Sequence, residues 1–451
     1  MGLTLIRKSG AARRQNPKIA VVLAGGAVSG GAFKVGGLKA LDDFLVGRSI
    51  IDFDIYVGLS AGSILAASLA SGITPDEMIR VLHGTSKRFD QLRPVDFYKP
   101  NLNEFASRPA KFLYDLSSYL PSVGWDFARA LPGLPGAVGS AFRLFLQEPS
   151  YTHFEAVSMR VLEHVSPKRE LPALTNHIPS GLFDNASLER WLRRSLESIS
   201  LPNDFRAFER KRQRRLYIAA CDLDTAERAV FGPDENCEVT ISQAVQASSA
   251  LPLFYKPARI NGVDYVDGGV RRTANIDVAI EKGAELIICY NPFRPFLNRI
   301  DADGGDPSYF AEGRYLADRG LKVVLNQVFR TLLHSRLKLG IQRYLTDDRF
   351  QGDIVLLEPR EQDANFFALN PLAFWKRSKA VEHGFESVRT TIEQNFDQLR
   401  DVLAGYGLKM DRAVARRRAE QARAEQGWKG QAETEPTEQR NVLRLVGGQR
   451  A

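Results

Sequence analysis

Apolar residues along this chain fall into short unbroken runs and longer stretches at helical spacing. Lys18 to Leu23 (KIAVVL) predicts a buried strand, a Gly-rich turn follows, and Gly31 to Phe44 sets apolar residues at helical intervals. A second such unit comes next: Phe53 to Val57 as strand, Gly58-Leu59-Ser60-Ala61-Gly62 as a sharp turn, and Ser63 to Ala70 as a small-residue helix ending before Gly72. Two successive strand–loop–helix units predict an α/β fold with a mostly parallel sheet covered by helices. Leu188 to Leu196 reads as a helix, and Leu216 to Cys221, Leu286 to Tyr290 and Ile354 to Leu357 read as strands, so the sheet recruits distant segments.

Three regions break this rhythm. From about Lys99 to Pro149 the chain is rich in Pro, Gly and aromatic residues, including Leu120, Pro121, Trp125, Phe127, Leu131, Leu134, Phe142 and Phe145. This segment reads as an apolar, helical insertion, either a subdomain packed on the core or a lid or membrane-contacting element. Residues 1–17 read as a flexible basic arm carrying Arg7, Lys8, Arg13 and Arg14. Beyond about Gly405 the apolar content falls, and residues 405–451, with Arg416, Arg417, Arg418 and Arg423, read as a charged helical or disordered tail. Between arm and tail, residues 18–404 form the main expected domain, with a C-terminal extension over 293–404.

Charge narrows the partners. The formal net charge of +8 over 451 residues favours anionic surfaces. No zinc-ligand spacing, aromatic RNA-binding signature or dominant basic helix supports nucleic acid, so peripheral contact with anionic membrane ranks first. The three cysteines, Cys221, Cys237 and Cys289, read as free thiols in a reducing compartment. The N-terminal apolar patch is too short for a signal-peptide core, and no apolar run spans a bilayer. A cytoplasmic protein, at most peripheral to membrane, is expected.

Gly58-Leu59-Ser60-Ala61-Gly62 matches a nucleophile elbow, in which strand turns tightly into helix and presents a serine hydroxyl. Gly58 and Gly62 leave room for the close approach of the two elements. The loop Gly25-Gly26-Ala27-Val28-Ser29-Gly30-Gly31 follows the first strand, where its amides suit a phosphate cradle, an oxyanion hole or a tight packing turn. Its Walker pattern is incomplete, and the serine elbow in the same sheet favours the oxyanion hole. Ser60 then needs a base. His83, His153, His164, His177, His334 and His383 lie in no motif-like setting and read as surface or packing residues. Asp267-Gly268-Gly269 follows a short strand-like run, so its carboxylate is either the base or part of an ordinary Asp-Gly hairpin turn.

Taken together, LAGG…GGAFKVGGLKAL, GLSAGS, ASSALPLFYKPARING and YVDGG resemble the patatin-like phospholipase family in composition and order, over Ile19 to Pro292. Gly181-Leu182-Phe183-Asp184 and the AACDLDTAERAVF run from Ala219 to Phe231 are similar to family features as well. The resemblance implies a three-layer fold and a Ser-Asp dyad without histidine, with Ser60 as nucleophile, Asp267 as base, and the amides of Gly25, Gly26 and Ala27 as oxyanion hole. Gly58, Gly62, Gly268 and Gly269 would support these motifs. It implies a lipid ester substrate and no metal or cofactor. Ser60, Asp267 and then His334 or His383 also follow the order of a general α/β-hydrolase triad, but there the elbow follows several strands, and here it follows the second. The loop departs from the family pattern: Ala27 takes the place of a third glycine, the loop is one residue longer, and Ser29 or Gly30 stands where Arg or Lys is common. A non-catalytic lipid-binding or scaffolding protein and an acyltransferase are the alternatives.

Overall fold

The computed structural model describes residues 2–8, 16–165, 177–298, 315–347, 350–428 and 444–447. Five strands form the parallel centre of one sheet, in the order Asp353–Leu357, Leu286–Tyr290, Ile19–Leu23, Ile55–Leu59 and Arg215–Asp222. Antiparallel strands extend it on both sides: Leu3–Arg7 beside Asp353–Leu357, and Val263–Asp267 beside Arg215–Asp222. Each central strand reads as a continuous apolar run because both faces are covered. Its alternate residues go to opposite sides: Ile19, Val21 and Leu23 join the core under the Ala27–Phe44 helix, while Ala20 and Val22 join the core that holds Ile276, Leu337 and Ile341. The result is a mostly parallel sheet between two helical layers, as the sequence pattern predicts.

The tightest packing lies between two helices of one layer, Ala27–Phe44 and Arg377–Gln394. A Cβ on Gly384 would fall 2.0 Å from the Phe33 carbonyl oxygen, and one on Gly36 would fall 1.9 Å from that of Val381. Glycine on both helices therefore lets the backbones touch. Gly384→Ala gains about 1 kcal/mol of helix propensity, yet it must push the helices apart. Its net effect is expected to be a loss of about 2 kcal/mol, read as a lower denaturant midpoint with an unchanged slope.

Two expectations for the termini are corrected. Residues 3–7 are no flexible arm: Leu3, Leu5 and Ile6 are buried, and Leu3–Arg7 pairs along its whole length with Asp353–Leu357. The physical reason is the alternation in LTLIR, which supplies apolar side chains to both cores. Lys8 Nζ then donates to the Tyr344 and Asp347 carbonyls. Arg13 and Arg14 lie outside the described residues. In the expected tail, Arg412–Gln426 is a helix whose Ala415, Ala419 and Ala422 seam packs on the core, and Trp428 is buried against Phe385. Small residues at helical spacing bury a seam that low mean hydropathy hides. Residues 444–447 form a strand parallel to Leu3–Arg7, and residues 429–443 and 448–451 lie outside the described set.

Pro100–Leu182 forms one compact unit, and Met1–Lys99 with Phe183–Ala451 forms another. Its helices span Leu102–Ala130, Leu134–Gln147 and Tyr151–Val165, so the helical insertion runs past Pro149. Trp125, Phe142, Leu144, Leu146 and Phe154 are exposed on it.

Candidate active site

The strand Ile55–Leu59 ends at Ser60, and the helix Ala61–Ala70 starts at the next residue. Ser60 has φ 53° and ψ −132°, a left-handed backbone that a serine adopts only when its surroundings impose it. The flanking glycines explain how. A Cβ on Gly62 would lie 2.2 Å from the Leu23 carbonyl oxygen, and one on Gly58 would lie 2.5 Å from Ser63 Cα. Any side chain at either position would separate the elbow from the adjacent strand or from its own helix.

The elbow backbone is also held by a serine that sequence reasoning missed. The Ser60 amide donates to Ser248 Oγ at 2.8 Å, and the Ser248 hydroxyl donates to the Ala219 carbonyl at 2.7 Å. Ser248 closes the helix Ile241–Ser248 and is fully buried. It lies within the ASSALP run, whose register against the elbow has no local signature.

Asp267 ends the strand Val263–Asp267, two positions over in the sheet from the elbow strand. Its amide donates to the Ala250 carbonyl at 2.9 Å, and its Oδ1 accepts the Gly269 amide at 2.8 Å. The Ser60 side chain lies close enough to its carboxylate to favour the ionised form. A Cβ on Gly268 would lie 2.6 Å from Leu59 Cδ1 and 2.7 Å from the Ala219 carbonyl oxygen, so that glycine lets the turn close over the elbow. Burial pushes the Asp267 carboxyl up to about 6; the Ser60 hydroxyl, the hydrogen bond from Gly269 and the nearby Lys34 charge act in the opposite sense. A carboxylate with that value is ionised at neutral pH and basic enough to accept a proton.

The glycine loop packs directly on Ser60. A Cβ on Gly25 would come within 3.2 Å of Ser60 Cβ. Gly26 has φ 147° and Ala27 has φ 50°, so alanine fills the position of a third glycine in a left-handed conformation that costs it about 1–2 kcal/mol. The helix begins there, at Ala27 rather than Gly31. A residue that the motif reading passed over sits beneath: Lys34 is fully buried, and its Nζ donates to the Gly25 carbonyl at 2.9 Å and to the Ala24 carbonyl. Its signal in the sequence is a cation inside the apolar Ala32-Phe33-Lys34-Val35 stretch.

Histidine stands apart from this arrangement. His383 Nε2 lies 2.7 Å from Asp363 Oδ1, and His334 Nδ1 lies 3.1 Å from Glu358 Oε1. Among the described residues, neither has a hydrogen bond to Ser60 or Asp267. No group of three or more His, Cys, Asp or Glu that could hold a metal occurs among them either.

Ser60 lines a small pocket with Val28, Ala61, Ile64 and Phe97 in its wall. Those four residues also line a second pocket, whose wall is almost wholly apolar and includes Met78, Phe89 and Trp191. A serine hydroxyl beside an apolar space suits the binding of an acyl ester.

Comparison with known proteins gives short or distant matches and one broad one. A probable lipid hydrolase of Invertebrate iridescent virus 6 is 25% identical over 103 residues, covering 22% of this chain and 36% of the viral protein. Thus the match spans little more than a third of that relative's length. VipD from Legionella pneumophila shares 16% identity with a TM-score of 0.33, covering 87% of this chain and 70% of that one. Human GIVD cytosolic phospholipase A2, solved with methyl gamma-linolenyl fluorophosphonate, shares 11% with a TM-score of 0.32, covering 86% and 60%. The patatin-like phospholipase model matches residues 21–280, from the first central strand past Asp267 and over more than half of the chain, and the protein belongs to that family.

Proposed function

We propose that the protein is a serine lipid acyl hydrolase that cleaves carboxylic esters of phospholipids or lysophospholipids through a Ser60–Asp267 dyad. The observation that carries this reading is the pairing of Ser60, on a strained elbow, with the buried carboxylate of Asp267, whose ionised form the Ser60 hydroxyl favours. In the first step, Ser60 Oγ attacks the ester carbonyl while its proton passes to Asp267. The amides of Gly25, Gly26 and Ala27 stabilise the tetrahedral oxyanion. Collapse expels the alcohol, which takes the proton from Asp267, and leaves an acyl-Ser60 ester. Water then attacks that ester with Asp267 again accepting a proton, the oxyanion collapses, and the fatty acid leaves as Ser60 recovers its hydrogen.

Family membership supports a lipid substrate, and the apolar cavity beside Ser60 supports a long acyl chain. Peripheral contact with anionic membrane fits the net charge of +8 and the exposed aromatic residues of the Pro100–Leu182 unit. No described helix is long and apolar enough to cross a membrane. The test is fatty-acid release from vesicles or micelles of phospholipid, lysophospholipid and triacylglycerol. Release from a phospholipid class is expected, and a folded protein that releases nothing from any of them would overturn the proposal.

A further inference from the structure

Lys34 has no part in the chemistry just described, yet it is a fully buried cation whose charge acts on Asp267. Its side chain crosses the apolar layer beneath the glycine loop and ends on two main-chain oxygens, those of Ala24 and Gly25. Among the described residues no peptide bond is cis. In a trans peptide the C=O and the following N–H point in opposite directions. Drawing the Ala24 oxygen toward Lys34 therefore turns the Gly25 amide away from it, and drawing the Gly25 oxygen in turns the Gly26 amide away. Among the described residues, neither amide meets a protein acceptor, and the loop that carries them lies against Ser60.

We infer that Lys34 is a positioning residue that fixes the proposed oxyanion amides of Gly25 and Gly26 from behind. The inference rests on the proposed Ser60–Asp267 chemistry. A lysine carries three donors and two carbonyls can take two of them, so one side chain locks two successive peptide planes. Methionine of similar length would fill the same apolar space without desolvating an ammonium, so packing alone does not account for a lysine there. The groups that face it electrostatically are Asp267 and Cys289. Burial holds the Cys289 thiol far above its ordinary value and hence neutral, which leaves Asp267 as the charge Lys34 feels. The attraction is mutual: Asp267 opposes the burial that draws the Lys34 ammonium down to about 7, and Lys34 opposes the burial that raises Asp267.

The test compares the wild-type protein, Ser60→Ala, Lys34→Met and Lys34→Gln on a soluble short-chain ester across pH. Lys34→Met is expected to fold with an equal or higher melting temperature. Its kcat should fall about 10- to 100-fold, somewhat less than the loss of a whole oxyanion donor, with KM within about twofold of wild type. The acid limb of its kcat/KM profile should move to higher pH, because Asp267 loses a neighbour that favours its ionised form. Lys34→Gln, which keeps a donor but no charge, should recover part of kcat and leave the acid limb displaced. Folded neutral variants with wild-type kcat and an unmoved acid limb would overturn the inference, as would a loss confined to thermal stability. If neither variant folds, the Lys34 resonance is followed by NMR in the wild-type protein and in Asp267→Asn. Titration at lower pH in Asp267→Asn is expected, and identical titration overturns the coupling. An inactive wild type contradicts the hydrolase reading itself, whereas active wild type, inactive Ser60→Ala and normal Lys34 variants contradict only the role of Lys34.

Discussion

Ser60→Ala is expected to lower kcat/KM for ester hydrolysis by about 10⁴- to 10⁶-fold while the protein keeps its fold. The reasoning runs from the backbone. The left-handed conformation of Ser60 is imposed by Gly58, Gly62 and the Ser248 bridge, none of which uses the Ser60 hydroxyl. Alanine already occupies a left-handed position at Ala27, so the elbow can carry one. What is lost is the proposed nucleophile and the favourable interaction of its hydroxyl with Asp267. Steady-state kinetics on a soluble ester, paired with a circular dichroism melt, separates the two effects. A variant that loses activity only because it unfolds would show it in the melt.

Asp267→Asn should reduce activity by about 10⁴-fold, because the amide cannot take the Ser60 proton. Its effect on stability has the opposite sign from most core substitutions. Burial raises the Asp267 carboxyl to about 6. A carboxyl raised in the folded state stabilises the fold in acid, and that contribution is lost as pH rises from its unfolded value of 3.8 through about 6. At pH 8 the wild type therefore bears an ionised, desolvated group that asparagine removes. An equal or higher melting temperature is expected for Asp267→Asn at pH 8, with no such gain near pH 3. In wild type the same ionisation should set the acid limb of kcat/KM near pH 6. Unaltered turnover in Asp267→Asn would remove Asp267 from the reaction.

Much of this arrangement is legible in the sequence because its demands are local. A strand that must turn into a helix around Ser60 leaves glycine at 58 and 62, and a turn that must close over the elbow leaves glycine at 268. Runs such as IAVVL and LIICY declare a sheet covered on both faces. What the sequence conceals is settled by partners far away. Leu3–Arg7 finds its partner at Asp353–Leu357, near the other end of the chain. The Arg412–Gln426 helix hides its alanine seam among charged residues. Ser248 and Lys34 are unremarkable in composition, and their roles come from the atoms that folding places beside them, the Ser60 amide and the carbonyls of Ala24 and Gly25. The departure from the family loop at Ala27 is legible, but the buried cation behind it is recognised only once the helix is seen to begin there.

The most direct test of the dyad is covalent capture of the nucleophile. The wild-type protein is treated with an alkyl fluorophosphonate at pH 8, and the adduct is located by peptide mass spectrometry, with Ser60→Ala and Asp267→Asn treated alongside. The account predicts a single adduct on Ser60, absent in Ser60→Ala and formed far more slowly in Asp267→Asn. An adduct on another residue that accompanies loss of hydrolysis, or undiminished labelling of Ser60 in Asp267→Asn, would contradict it.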